Sequence, residues 1–234
     1  MELVILVIIS IVQSIFGVGV LLFGTPIFLL LGYTFFETLV FLLPISILIS
    51  TMTLLQNAEV ETERKSYFFL VLCIIAGTYF AIEKIQDLMV LIIALTLILT
   101  CIANFVKSEK INNQFIGNKN LAFSFIGLIH GLTNQGGALL LWFFNGQYSN
   151  KTYVRSNIAL AYGIMACFQL ITLFLIDFGA VTKIFNFKNL VIPTISFLIG
   201  SYIFKSVSSE SYRRLSNIFI GIFGVCLLYK FIAT

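Results

Sequence analysis

The sequence predicts an all-α polytopic membrane protein made of two four-segment repeats of inverted topology, with the first segment of each repeat broken and re-entrant. Three observations predict it: a composition too apolar for a water-facing surface, eight hydrophobic segments between short polar breaks, and two over-long segments interrupted by glycine-rich knots at matching places. Of 234 residues, 59% are hydrophobic and 10% charged, and mean hydropathy is +1.05. A soluble globule carries about 25% charged residues, because its surface must face water. Fourteen Lys+Arg and ten Asp+Glu are too few for such a surface, but they suffice for the loops of a bundle whose outside faces lipid.

The same numbers exclude other classes. A net charge of +4 spread over loops is no basic stripe for nucleic acid. Cys73, Cys101, Cys167 and Cys226 all sit in apolar stretches without a CxxC pair, and read as small buried hydrophobes. A single histidine rules out a multi-His metal centre, and no cofactor is expected. The N-terminal MELVILVIIS has Glu2 and no Lys or Arg before its apolar run. A signal peptide needs a basic n-region, so this reads as the first membrane segment.

A bilayer core of about 30 Å takes roughly 20 apolar residues as helix. Cutting at the polar clusters gives segments 3–31, 38–56, 66–82, 88–106, 120–146, 156–176, 189–204 and 215–233. Segments 3–31 and 120–146 are too long for one crossing, and each carries a knot, QSIFGVG (13–19) and HGLTNQGG (130–137). Gly and Asn/Gln at that density weaken a helix. In lipid, broken backbone survives only where it is buried in protein or lines a wet cavity. Each long segment therefore reads as two half-helices meeting at mid-membrane. Pro44 in the second segment reads as a kink.

Gln13 laid on His130 brings Gly19 onto Gly136 and Leu22 onto Leu139. Each knot is followed by three simpler spans. The chain then divides into a first repeat, 1–106, a cytoplasmic linker, 107–119, and a second repeat, 120–234. Interrupted segments at matching positions of two halves point to a transporter's binding site.

Charge supports the re-entrant reading. Eight simple crossings split Lys+Arg eight against six, which is no positive-inside signal. If the long segments enter and return on one side, Arg64, Lys65, Lys107, Lys110, Lys119, Lys151, Arg155, Lys205, Arg213 and Arg214 share a face. Only Lys84, Lys183, Lys188 and Lys230 then lie opposite. That asymmetry marks a cytoplasmic face and places both termini outside the cytoplasm of a plasma-membrane protein.

The two knots, with the stretches C-terminal to them, resemble the TauE/SafE family of sulfite and organosulfur-anion transporters across nearly the whole chain. The first motif stands as Gly17-Val18-Gly19-Val20-Leu21-Leu22-Phe23-Gly24-Thr25-Pro26, with Gly32 closing the segment. Val20 and Leu21 stand where the family pattern carries glycine. The second stands as His130-Gly131-Leu132-Thr133-Asn134-Gln135-Gly136-Gly137, followed by Lys151-Thr152-Tyr153-Val154-Arg155-Ser156-Asn157. The resemblance implies a secondary transporter of a small, sulfur-containing anion. Such an anion needs hydrogen-bond donors and positive potential, which half-helix N-termini supply.

The expected binding residues are Gln13, Ser14, Gly17 and Gly19 from one half, and His130, Thr133, Asn134, Gln135, Gly136 and Gly137 from the other. Each has a blander reading. His130 is either a titratable site residue or a neutral imidazole on a neighbouring carbonyl. Asn134 and Gln135 could glue helices, and Gly17 and Gly19 could serve close packing. Lys151 and Arg155, four apart on one helical face, read as anchors reaching to lipid phosphate or as cations drawing anions to the pathway.

Two rival classes are a membrane-embedded enzyme and a non-transporting assembly partner. The enzyme would want clustered Glu, Arg or Ser-His groups inside the membrane, and the segments offer only His130. The assembly partner has little use for two matched knots. Proton coupling, sodium coupling, plain facilitation and homo-oligomer formation all stay open on the sequence alone.

Overall fold

Both over-long segments break at their knots in the computed structural model, which describes residues 2–57, 59–60, 64–84, 89–106, 117–184 and 190–233. Eleven helices and no strand are found among them: α1 (Glu2–Phe16), α2 (Val20–Leu30), α3 (Phe35–Gln56), α4 (Arg64–Lys84), α5 (Met89–Val106), α6 (Lys119–Thr133), α7 (Gly136–Gln147), α8 (Lys151–Ile176), α9 (Phe178–Ile184), α10 (Val191–Ser206) and α11 (Ser209–Ala233). Positions 107–116 of the expected linker, and parts of the breaks at 61–63, 85–88 and 185–189, lie outside the described residues.

The two breaks share one local geometry. Gly17 has φ +80° and Asn134 φ +65°, left-handed values that stop an α-helix. The Gly17 N–H donates to the Gln13 carbonyl at 2.8 Å, and the Asn134 N–H to the His130 carbonyl at 2.7 Å. The chain then folds back on itself. A Cβ added at Gly19 would lie 2.5 Å from the Gln13 backbone nitrogen and 2.9 Å from the Ile9 carbonyl oxygen. One added at Gly136 would lie 2.5 Å from the His130 Cβ and 3.0 Å from the Ile126 carbonyl oxygen. Only glycine lets the second half-helix start this close to the first.

Other elements begin where side chains cap them. Thr34 and Glu37 form a capping box at α3, and Asn118 and Asn150 accept from Leu121 N and Thr152 N at the starts of α6 and α8. Each satisfies a backbone donor that the helix itself cannot.

Four helix pairs build the body: α1 on α10, α4 on α6, α3 on α8, and α5 on α11. Glycines bring the first two pairs together. A Cβ on Gly200 of α10 would lie 2.8 Å from the Ile11 carbonyl oxygen, and one on Gly77 of α4 would lie 2.9 Å from that of Leu128. Such small-residue crossings suit helices associating in lipid.

The outside is apolar and the inside holds polar groups. Phe68, Leu72, Ile75 and Tyr79 run exposed along α4, and Ile195, Leu198 and Tyr202 along α10, whereas Gln13, Ser46, Ser50, His130, Asn134, Gln135 and Gln169 are buried. Phe35–Gln56, Arg64–Glu83 and Lys151–Ile176 are each long and apolar enough to cross a membrane. Cys73 and Cys167 are half-buried free thiols, while the side chains of Cys101 and Cys226 lie outside the described residues.

Hydrogen bonds gather particular loops. The Tyr33 hydroxyl donates to Glu2 Oε1 at 2.6 Å, so the chain leaves α2 beside the start of α1. Ser156 Oγ donates to the Asn57 carbonyl at 2.8 Å, Ser66 Oγ to Asn120 Oδ1 at 2.9 Å, and Arg213 to the Tyr148 carbonyl at 2.5 Å. Lys151 Nζ donates to the Phe204 carbonyl at 2.6 Å and also to that of Val207. Asn57 is thereby linked to Ser156, Ser66 to Asn120, and the stretch 148–151 to 204–213.

Gly19→Ala and Gly136→Ala are expected to destabilise the protein by about 1–3 kcal/mol, the usual range for overpacking. Gly163→Ala, whose added Cβ meets the Ser50 side chain alone, 3.3 Å from its Cβ and 3.9 Å from its Oγ, is expected to change stability little. Melting temperatures of the three variants in detergent, beside the parent, check the ranking.

Candidate functional site: two helix breaks and a buried arginine

The first break is wired by Gln13. Its Nε2 donates to the Ser46 carbonyl and Ser46 Oγ, both at 3.1 Å, and more weakly to Ser50 Oγ at 3.4 Å. Its Oε1 accepts the Val20 N–H at 3.0 Å. One side chain thus anchors α1 to α3 and satisfies a donor at the start of α2, where no intrahelical acceptor exists. The neighbouring Ser14 donates to the Ser10 carbonyl at 2.7 Å, within its own helix.

The second break is wired differently. Thr133 Oγ1 donates to the Ile129 carbonyl at 2.7 Å and accepts the Gln135 N–H at 3.2 Å. Gln135 Nε2 donates to the Thr133 carbonyl at 3.3 Å. His130 is fully buried, its carbonyl accepting from Gln169 Nε2 at 3.4 Å. Neither His130 ring nitrogen meets a partner in good hydrogen-bond geometry among the described residues, and Asn134 Oδ1, Gln135 Oε1 and Gln169 Oε1 are likewise buried and unpartnered. Apart from the imidazole, these open groups are acceptors.

The breaks meet. Asn134 Nδ2 donates to Thr25 Oγ1 at 2.8 Å across 109 positions of sequence. A Cβ on Gly137 would lie 3.0 Å from Val18 Cγ1 and 2.9 Å from Tyr162 Cε2. Tyr162 of α8 sits between them, fully buried. Its hydroxyl accepts the Leu22 N–H at 3.0 Å, and its ring meets His130 edge-on with centroids 5.6 Å apart. A Cβ on Gly17 would lie 3.0 Å from Ile158 Cγ2 and 3.1 Å from the Arg155 carbonyl oxygen, so the first break rests on α8 as well.

The ten expected binding residues therefore do not play equal parts. Gln13, Asn134 and Gly137 join elements at the centre, and His130 lies against Tyr162. Gly19 and Gly136 close onto their own preceding half-helices, and Gly17 onto α8. Ser14 and Thr133 spend their hydroxyl protons locally. Tyr162, Ser46, Ser50 and Gln169 stand outside the residues that the two sequence motifs single out, and Thr25 enters only as part of a motif. Their signal was available: isolated polar groups inside apolar spans, with Ser46 and Ser50 four apart and Tyr162 and Gln169 seven apart, each pair on one helical face.

Lys151 and Arg155 do not reach outward as lipid anchors. Lys151 caps the C-terminal end of α10 through its carbonyls and lies 4.5 Å above the Phe204 ring, a cation complementing that end of the helix. Arg155 is 1% exposed. Its guanidinium donates to Gln56 Oε1 at 3.3 Å and Ser201 Oγ at 3.1 Å and lies 4.3 Å from the Phe204 ring centroid. Its Nε is buried without a partner, and no carboxylate pairs with it among the described residues. The effective cost of burying an ion is several kcal/mol, whereas a desolvated cation–π contact contributes about 2 kcal/mol. A cavity of about 300 Å³, lined by Gln56, Asn57, Lys151, Thr152, Arg155, Phe204 and Lys205, adjoins it.

Residues 3–227 match the family model described as sulfite exporter TauE/SafE. No curated protein and no solved structure matches the chain.

Tyr162→Phe leaves the buried Leu22 N–H without its acceptor and is expected to cost about 1–3 kcal/mol of stability, the desolvation penalty of an unmet donor. Thermal melting in detergent measures it, with Tyr153→Phe, at a position whose hydroxyl makes no such contact with α2, as the control.

Proposed function

Because the chain belongs to the sulfite exporter TauE/SafE family, we propose that it is a secondary transporter of a small sulfur-containing anion such as sulfite, thiosulfate or an organosulfonate, working by alternating access around its two broken helices. Members of this family are membrane transporters rather than enzymes. The observation that carries the finer reading is the meeting of the two breaks at Tyr162: the Leu22 N–H on its hydroxyl, Gly137 against its ring, and Asn134 bonded across to Thr25.

In this reading the Tyr162 hydroxyl oxygen stands where an anion's oxygen is received. Donors at the start of α2 point at it, with the positive end of the helix dipole behind them. An arriving anion takes over the Leu22 N–H, and the hydroxyl, freed, becomes a donor to the same anion. Gln13 holds the start of α2 in place during the exchange. All these groups are neutral, so the anion is held by hydrogen bonds that can be released, which suits a carrier. The substrate-contacting set is Gln13, Ser14, Gly17, Gly19, His130, Thr133, Asn134, Gln135, Gly136 and Gly137, extended by Tyr162.

The repeat reading, 1–106 and 120–234 inverted about the membrane plane, draws support from several correspondences. The helix bounds of α1 and α6 run at one constant offset, Glu2 to Lys119 and Phe16 to Thr133. The left-handed residues Gly17 and Asn134 keep it, as do the close pairs Gly19–Ile9 and Gly136–Ile126. The pairing of α1 with α10 has its counterpart in that of α6 with α4. Re-entry of the first segment draws on the Tyr33–Glu2 hydrogen bond. Arg64, Lys65, Lys151, Arg155, Lys205 and Arg213, with Arg214 beside them, lie at or near the linked positions Asn57, Ser66, 148–156 and 204–213, and this clustering of cations supports reading theirs as the cytoplasmic face, with both termini on the other side of the plasma membrane.

Purified protein in proteoliposomes is expected to carry sulfite or thiosulfate saturably above the rate of empty vesicles, and Asn134→Leu, which cuts the cross-break bond, to lower that flux at least about tenfold. Flux no greater than in empty vesicles across sulfite, thiosulfate, sulfonates and carboxylates contradicts the reading. A C-terminal reporter active only in the cytoplasm is expected to stay silent.

A further inference from the structure

We propose that the cavity beside Arg155 is a binding site for a small oxyanion, in which the buried guanidinium recognises the charge before the anion reaches the helix breaks. The inference rests on the transporter reading and assigns the charge-recognition step to a place of its own.

Three independent features point there. The first is an unneutralised charge. Arginine stays protonated in proteins, Arg155 is 1% exposed, and among the described residues no carboxylate pairs with it. Its two hydrogen-bond acceptors, Gln56 Oε1 and Ser201 Oγ, are neutral groups that fix the plane of the guanidinium without cancelling its charge. Phe204 and Phe197 cover it at 4.3 and 6.0 Å from their centroids. The second is an open donor: Nε is buried and unpartnered. The third is room. About 300 Å³ lies beside it, enough for an oxyanion with several waters at ~30 Å³ each.

The rest of the lining fits an anion. Asn57 and Thr152 bring an amide and a hydroxyl, Lys205 brings a second cation, and among the described residues no Asp or Glu lines the cavity. Lys151 contributes potential although its ammonium is committed to the end of α10. A planar guanidinium matches two oxygens of one anion, so sulfite, thiosulfate, sulfonate and phosphate fit this chemistry better than chloride.

The position also fits a route. Arg155, Ile158 and Tyr162 follow one another on one face of α8. The Arg155 carbonyl and Ile158 pack against Gly17 at the first break, and Tyr162 holds the start of α2. From Arg155 to Tyr162 is about 10 Å along the helix axis, seven residues of rise. An anion leaving the guanidinium thus meets the break one step further in.

The test uses full-length protein in detergent free of phospholipid, melted with rising sulfite, thiosulfate or phosphate at constant ionic strength against chloride. A saturable rise in melting temperature with the oxyanions is expected. Arg155→Gln is expected to weaken it about thirtyfold or more, as loss of a buried charge partner does, and Arg155→Lys to keep part of it. Lys205→Glu, an exposed position with little bearing on folding, places a carboxylate at the cavity and is expected to weaken binding several-fold. Equal oxyanion affinity in the parent, Arg155→Gln and Lys205→Glu overturns the site. Stabilisation by phosphatidylglycerol vesicles alone, with no effect of free oxyanions, also overturns it and assigns the cavity to a lipid headgroup. Proteoliposome flux keeps the two claims apart: parent flux with unchanged KM in Arg155→Gln removes only this site, whereas no parent flux for any anion removes the transporter reading.

Discussion

A helix that stops in the middle of an apolar bundle must find partners for its backbone inside the protein, because lipid offers none. Much of this molecule follows from meeting that demand twice. Gln13 reaches the Val20 N–H, Tyr162 the Leu22 N–H, and Thr133 the Gln135 N–H. Each of these side chains must in turn be buried and held. Ser46 and Ser50 hold Gln13. The polar interior of an otherwise apolar chain is therefore a consequence of the two breaks. Glycines then become obligatory wherever the second half-helix restarts against the first.

The two breaks are alike in backbone and unlike in side chains. Gly17 and Asn134 share a left-handed turn, yet at the start of α2 the Val20 and Leu22 N–H groups are matched, while the second break keeps open acceptors on Asn134, Gln135 and Gln169. A centre of neutral groups can hold an anion only by hydrogen bonds, and therefore loosely. The positive charge sits apart, on Arg155 at the loop face. In the proposed mechanism, separating the group that attracts charge from the groups that receive the anion keeps the central site shallow enough to release it.

Much of the frame was legible in the sequence because helix breaks leave a strong mark. Glycine and amides in the middle of an over-long apolar run can hardly be anything else, and the breaks stand at the two knots. The fold-back of the first segment was legible only indirectly, through loop charge, since the Glu2–Tyr33 contact joins residues with no sequence signal of pairing. Side-chain roles were harder to read. Tyr162 is one tyrosine among nine; its place inside an apolar span marks it as a buried polar group, but its role arises from where α8 crosses the breaks. Lys151 and Arg155 look like lipid anchors by position. The first is drawn into the end of α10 and the second under Phe204, and only the packing of α10 on that side decides it.

The central claim is that the two breaks move against each other as the anion passes. Val18 and Gly137 face each other so closely that a Cβ on Gly137 would lie 3.2 Å from Val18 Cβ, and a shift of a few tenths of an ångström reaches the roughly 3.5–4.5 Å Cβ spacing of a disulfide. Val18→Cys with Gly137→Cys, in a chain whose four native cysteines are replaced by alanine, can be oxidised and reduced within proteoliposomes. Sulfite flux measured before oxidation, after it and after reduction is the direct test. The account predicts that flux is lost on cross-linking and restored by reductant. Cross-linked protein that carries sulfite at the reduced protein's rate would contradict it.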